Sequence, residues 1–166
     1  STLFPYTTLF RSNLSAVERA RSAFADSAQD LAGSKLTFER FVAGEENMLA
    51  FEAAKQVADG ENKGYNPLFI YGKSGLGKTH LLRAIQNYVV LNDPSRLCVY
   101  RTAGEFVEDY RIASNNKETS ARSALSNNYQ NVDILIIDDV QNMHTAAGSI
   151  RFFFETFNAL TARDKQ

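Results

Sequence analysis

Cysteine is almost absent from this 166-residue chain, and so is any surplus of one charge. The single thiol, Cys98, excludes an internal disulfide. Its place in an apolar strand pattern reads as a small buried hydrophobe in a reducing compartment. Eighteen Lys and Arg against nineteen Asp and Glu leave a net charge of −1, with a pI of about 6.1. No global field draws the chain to nucleic acid, a membrane surface or an acidic ligand, so any nucleic-acid contact has to be local. No apolar run approaches the roughly 18 residues of a transmembrane helix. The start carries no initiator Met and is unlike a secretory leader, because it has no basic region and Pro5 breaks its apolar stretch. No internal repeat is found. A cytoplasmic location is expected. What is present is ordinary for a globular protein: 44% hydrophobic and 22% charged residues, enough for a core in one domain or in part of a larger one.

Along the chain, the run Thr2–Ser12 resembles the translation of a sequencing adapter, and residues 1–12 are read as a library artefact. Residues 13–34, rich in Ala, Ser and Asp, read as linker with a weak helix from Val17 to Phe24. From residue 35 to residue 166 strands and helices alternate. Ala50, Ala53, Ala54, Val57 and Ala58 have helical spacing, and Gly60 ends that helix. Leu68–Tyr71 is wholly apolar and predicts a strand buried on both faces. The next helix runs to the Asp93-Pro94 break. A strand follows at Leu97–Tyr100, then a helix over Glu105–Ile112, a polar stretch holding a second helix, a strand over Val132–Ile137, and a last helix marked by Phe153, Phe157 and Leu160. This order predicts an α/β fold, a doubly wound parallel sheet with helices on both faces.

Chemistry concentrates at Gly72–Thr79, which reads Gly-Lys-Ser-Gly-Leu-Gly-Lys-Thr between a strand and a helix, a complete phosphate-binding loop. Gly72, Gly75 and Gly77 permit backbone angles that a β-carbon forbids. The N–H groups of the loop, those of Ser74 and Leu76 included, can then point at phosphate oxygens. The helix beginning near Lys78 turns its positive end to the same anion. Lys78 is expected at the β- and γ-phosphates and Thr79 at magnesium. The strand Ile134–Ile137 ends in Asp138 and Asp139. Asp138 is expected to hold the magnesium, directly or through water, and Asp139 to orient or deprotonate the attacking water. Lys78 and Asp139 are thus the expected catalytic residues, and ATP or ADP with Mg2+ the expected cofactors. His80 follows the loop and is carried as a nucleotide contact, against the plainer reading of a helix-surface histidine. His144 reads as solvated and Phe152–Phe154 as packing residues. Arg101, Arg111 and Arg122 form no stripe for nucleic acid.

A more specific pattern surrounds the loop. Phe41-Val42-x-Gly44-x-x-Asn47, the run Tyr65–Gly72, Thr79–Leu82, Asn131–Gln141 and Phe153–Leu160 together resemble the AAA+ ATPase domain of the bacterial chromosomal replication initiators, the DnaA family, from about Leu36 to Gln166. The resemblance implies an ATP switch: an oligomer that assembles on the replication origin in its ATP form, opens the duplex and is reset by hydrolysis. It also implies Phe41, Val42 and Asn47 at the adenine. Implied partners are double-stranded and single-stranded origin DNA, further copies of the chain, and the replicative helicase or its loader. The family's fourth strand, which carries a sensor residue and lies between the loop strand and the Asp138 strand, falls beyond Gln166. So do its arginine finger, lid and helix-turn-helix domain. The chain alone is therefore expected to fold poorly and to be inactive as an ATPase. One departure stands out. Asn142–Ser149 carries no Lys or Arg, whereas the family places basic and acidic residues there for gripping single-stranded DNA. Three other functions compete. A helicase loader or initiator paralogue acting on a protein would lack the helix-turn-helix. A small-molecule kinase on the same loop would transfer phosphate to an acceptor other than water. A structural nucleotide-binding module would have an inert Asp139.

Overall fold

The computed structural model describes residues 14–28, 31, 33–61, 64–73, 75, 77–143 and 147–166. The adapter-like segment 1–12, together with Ser74, Leu76 and His144, lies outside the described residues.

Two parallel strands form the centre, β1 (Cys98–Thr102) and β2 (Ile134–Asp138), with Cys98 opposite Ile134 and Thr102 opposite Asp138. Side chains alternate across a strand, so the pair builds two cores. On one face Cys98, Tyr100, Ile134 and Ile136 pack against helices α2 (Met48–Asp59) and α3 (Lys78–Asn92). On the other, Leu97 and Val99 meet α1 (Ala16–Ala23), α4 (Ala103–Asn115), α5 (Ser120–Gln130) and α6 (Ala147–Ala162). The result is the expected α/β arrangement, with helices on both faces of a parallel sheet. Burial pushes the Cys98 thiol up to about 12, consistent with a packing role.

Local chemistry sets the helix ends. α2 buries its small-residue face, Ala53, Ala54, Val57 and Ala58, and stops at Gly60. Gly60 sits at φ +74, where its N–H donates to the Gln56 and Val57 carbonyls. α4 opens with a reciprocal cap: the Glu105 N–H donates to Thr102 Oγ1 at 3.1 Å, and the Thr102 N–H donates to Glu105 Oε1 at 3.0 Å. Ser15 and Glu18 do the same for α1. α1 lies within the stretch read as linker, close to the weak helix expected there. It is packed: Ala20 and Phe24 are buried, the Phe24 ring lies 4.8 Å from that of Tyr129, and Arg101 reaches Asp26 at 3.6 Å.

One expected strand is corrected. Leu68–Tyr71 joins no ladder, and Phe69 and Tyr71 are 69% and 92% exposed. The reason lies at the free edge of β2. There the Gln166 N–H donates to the Asp133 carbonyl at 3.0 Å and the Leu135 N–H donates to the Gln166 carbonyl at 2.9 Å, the two bonds of a parallel pairing. Gln166 Nε2 donates to the Tyr65 carbonyl at 2.6 Å, and Asn66 Nδ2 donates to the Lys165 carbonyl at 2.7 Å. The segment before the phosphate loop is therefore tied at Tyr65 and Asn66 to Lys165 and Gln166, and not to β2. An apolar groove bounded by Leu68, Ile70, Leu135, Ile137 and Phe157 separates it from β2. Without a neighbour to bond, four apolar residues cannot act as a strand.

Candidate functional site

The phosphate loop meets the end of β2 beside the first turn of α3. Gly75 and Gly77 adopt φ of +87 and +90, the left-handed region expected of the loop glycines. Gly77 is constrained a second time, since a Cβ there would lie 2.7 Å from the Phe41 ring. Lys78 Nζ donates to the carbonyls of Gly72 at 2.6 Å and Lys73 at 3.2 Å, which holds the ammonium over the loop. Ser74 and Leu76, expected to contribute N–H groups, are not among the described residues.

Asp138 is only 5% exposed, and a carboxylate taken out of water needs donors. It has three. Thr79 Oγ1 donates to Oδ2 at 2.7 Å, the Tyr100 hydroxyl donates to the same oxygen at 2.6 Å, and the Asp139 N–H donates to Oδ1 at 2.9 Å. Burial, and then the hydrogen bond to Asp138, hold the Tyr100 phenol above its ordinary range, so it remains a proton donor at neutral pH. Thr79 and Asp138, expected to share a metal, are thus in direct contact although 59 residues separate them. Both offer hard oxygen donors. Such a pair fits magnesium, which takes one or two protein oxygens and fills its octahedron with phosphate and water. Among the described residues no three His, Cys, Asp or Glu side chains gather into a self-sufficient metal cage, so phosphate oxygens would have to complete the shell.

Asp139 is exposed and sits at φ +58, a left-handed conformation uncommon for a residue with a side chain. Its carbonyl accepts from the Asn142 N–H at 2.9 Å, opening a short 3-10 turn over Val140–Asn142. Backbone strain of this kind gathers at functional positions.

The residues expected at adenine come together on the other side of the loop. Phe41 stacks on Phe51 at 5.4 Å and takes the His80 ring edge-on at 5.2 Å. His80 Nε2 donates to the Thr37 carbonyl at 2.7 Å, so this histidine braces Phe41 from the first turn of α3. Val42 is 87% exposed beside it. Asn47 closes the intervening turn, its Oδ1 accepting from the Gly44 N–H at 2.7 Å and its Nδ2 donating to the Val42 carbonyl at 3.2 Å. Sequence reasoning missed Tyr100. The signal that marks it is the period-2 pattern of β1, which puts Tyr100 on the same face as Cys98. Its bond to Asp138 becomes visible only once the β1–β2 register is known.

The three arginines have separate surroundings. Arg101 is buried, its Nε 3.2 Å from Asp109 Oδ2. Arg111 chelates Glu108, and Arg122 lies over the Tyr110 ring. Among the described residues no helix is long and apolar enough to cross a membrane.

Comparison with known proteins agrees with this geometry. Residues 33–166 match the family described as the bacterial DnaA ATPase domain. The chromosomal replication initiator protein DnaA of Leifsonia xyli subsp. xyli is 44% identical over 134 residues, which are 80% of this chain and 28% of that protein. The chain thus spans little more than a quarter of the length of that relative. AMPPCP-bound DnaA from Aquifex aeolicus superposes with a TM-score of 0.72 at 35% identity, over 80% of this chain and 40% of the other. Domain III of the Thermotoga maritima replication initiation protein DnaA gives 0.73 at 43% identity, over 80% and 54%. A replication initiator DnaA bound to AMPPCP and single-stranded DNA gives 0.72 at 34% identity, over 80% and 40%. With the match running from Gly33 to Gln166 through the phosphate loop and the paired aspartates, the chain belongs to the bacterial DnaA ATPase domain family.

Proposed function

We propose that this chain is the ATP-binding and ATP-hydrolysing part of a chromosomal replication initiator, which assembles on origin DNA in its ATP form and opens the duplex. The observation that carries the nucleotide half of this reading is the 2.7 Å bond from Thr79 to Asp138. It joins the first turn after the phosphate loop to the end of β2, where a magnesium–triphosphate would have to sit. The loop amides and the N-terminus of α3 hold the phosphates, and Lys78 neutralises the β- and γ-oxygens. Thr79 and Asp138 hold Mg2+, which when bound draws charge off the phosphate oxygens. Asp139 orients the hydrolytic water, and its exposed position at the strand end leaves room for one. Phe41, Val42, Asn47 and His80 flank the base.

The DNA half is supported by one structural neighbour, a replication initiator DnaA bound to AMPPCP and single-stranded DNA. Double-stranded and single-stranded origin DNA, further copies of the chain, and the replicative helicase or its loader are the partners this reading carries, in the cytoplasm. Titration calorimetry with ATP and ADP, with and without Mg2+, tests the nucleotide half. Retention of origin DNA only with ATP tests the other. In the full-length protein Asp139→Asn is expected to keep ATP affinity within about threefold while phosphate release falls by roughly 100-fold or more, the usual loss of a general base. Unchanged phosphate release would remove Asp139 from the chemistry.

A further inference from the structure

Tyr100 occupies a position that the nucleotide reading does not use. It is buried on β1 and faces α3. Its register partner is Ile136, so Asp138 lies one pleat farther along the same face, within reach of a phenol. The hydroxyl donates at 2.6 Å to Asp138 Oδ2, the oxygen that Thr79 also holds. Two donors from two different elements thus converge on one carboxylate oxygen. The ring is itself held in place. The Arg83 guanidinium lies 3.6 Å from its centroid and donates to Gln86 Oε1 at 3.0 Å. Gln86 is buried and donates through Nε2 to the Ser27 carbonyl at 2.9 Å. A continuous line of contacts therefore runs from the turn after α1, through α3, to Asp138.

A carboxylate at the end of a strand has a free side-chain torsion unless neighbours restrict it. Thr79 cannot serve as the sole restraint on Oδ2, because its hydroxyl is itself expected at the metal, and the Asp139 N–H holds the other oxygen, Oδ1. We propose that Tyr100 is a positioning residue for the magnesium carboxylate: it fixes the orientation of Asp138 independently of Thr79, so that the pair meets Mg2+ already aligned. This rests on the nucleotide reading above. Removing a group that hydrogen-bonds a metal-binding side chain typically costs about 10- to 100-fold in metal affinity.

The test is Tyr100→Phe in the full-length protein, which keeps the ring and its Arg83 contact and deletes only the hydroxyl. ADP binding is measured by calorimetry in EDTA and across a Mg2+ titration, alongside a thermal melt. The Mg2+ concentration giving half of the full affinity is expected to rise by roughly 10-fold or more, while ADP affinity in EDTA stays within about twofold of wild type. An unmoved Mg2+ midpoint overturns the proposal. An equal loss with and without Mg2+, or a Tyr100→Phe protein that no longer melts cooperatively, also overturns it, because the hydroxyl would then serve the fold. If wild type itself shows no Mg2+-dependent ADP binding, the nucleotide reading fails first, and the wild-type arm alone reveals that.

Discussion

In the full-length protein Lys78→Ala is expected to abolish useful nucleotide binding while leaving the fold intact. Lys78 holds its ammonium over the loop, where phosphate oxygens would replace its present contacts with the Gly72 and Lys73 carbonyls. Truncating one member of a hydrogen-bonded charge pair withdrawn from water costs about 2–5 kcal/mol. At 1.4 kcal/mol per factor of ten, that is roughly 30-fold to several thousand-fold in affinity. Alanine suits the first turn of a helix, and Lys78 is part-exposed, so the thermal midpoint should hold. Calorimetry with ATP reads the first effect and a melt the second. Affinity within threefold of wild type would mean that the loop does not cradle phosphate, and the functional proposal would fall with it.

Phe106→Ala should have the largest effect on stability. Phe106 is fully buried on α4 and is the hub of the second core, with ring centroids 5.0 Å from Tyr129, 5.2 Å from Phe152 and 6.1 Å from Phe153. Replacing a buried phenylalanine with alanine costs about 3–5 kcal/mol in lost transfer energy and cavity. Whole domains are stable by only about 5–15 kcal/mol. Denaturant melts of the variant should therefore show most of the stability gone, or no cooperative transition. A loss below about 1 kcal/mol would mean that α4, α5 and α6 do not share one core. Phe154→Ala is the matched control, since that neighbour is 56% exposed.

What was legible in the sequence was whatever depends on near neighbours. The phosphate loop, the helix from Lys78 to its break at Asp93-Pro94, and the Ala face of α2 are local patterns. The structure places both helices where the pattern put them. Leu68–Tyr71 read wrongly because a strand is a relation between two segments. Its apolar composition carries no information about whether a neighbour lies within hydrogen-bonding distance. Phe24 was hidden in an Ala- and Ser-rich stretch for a similar reason: its burial is supplied by Tyr129, more than a hundred residues away. Within the site, the motif residues Thr79 and Asp138 could be named in advance. The part played by Tyr100 could not, because it follows from the β1–β2 register. Nor could the left-handed backbone of Asp139, since an aspartate carries no local signal of it.

Cys98 is buried at the start of β1, opposite Ile134, and is the chain's sole thiol. A thiolate is needed for attack on an aqueous disulfide reagent, and burial holds this one back. Labelling can then proceed only from molecules in which the core between the sheet and the helices α2 and α3 has opened. The rate of its reaction becomes a clock for that opening, with no mutation or dye required. A ligand that binds only the closed form slows that clock by the factor 1 + [L]/Kd, about 100-fold at a hundred times Kd. Nucleotide affinity can be read in this way from a sulfur atom with no part in the chemistry, and the order in which ATP, ADP and Mg2+ lengthen the labelling time would rank them as stabilisers of that core.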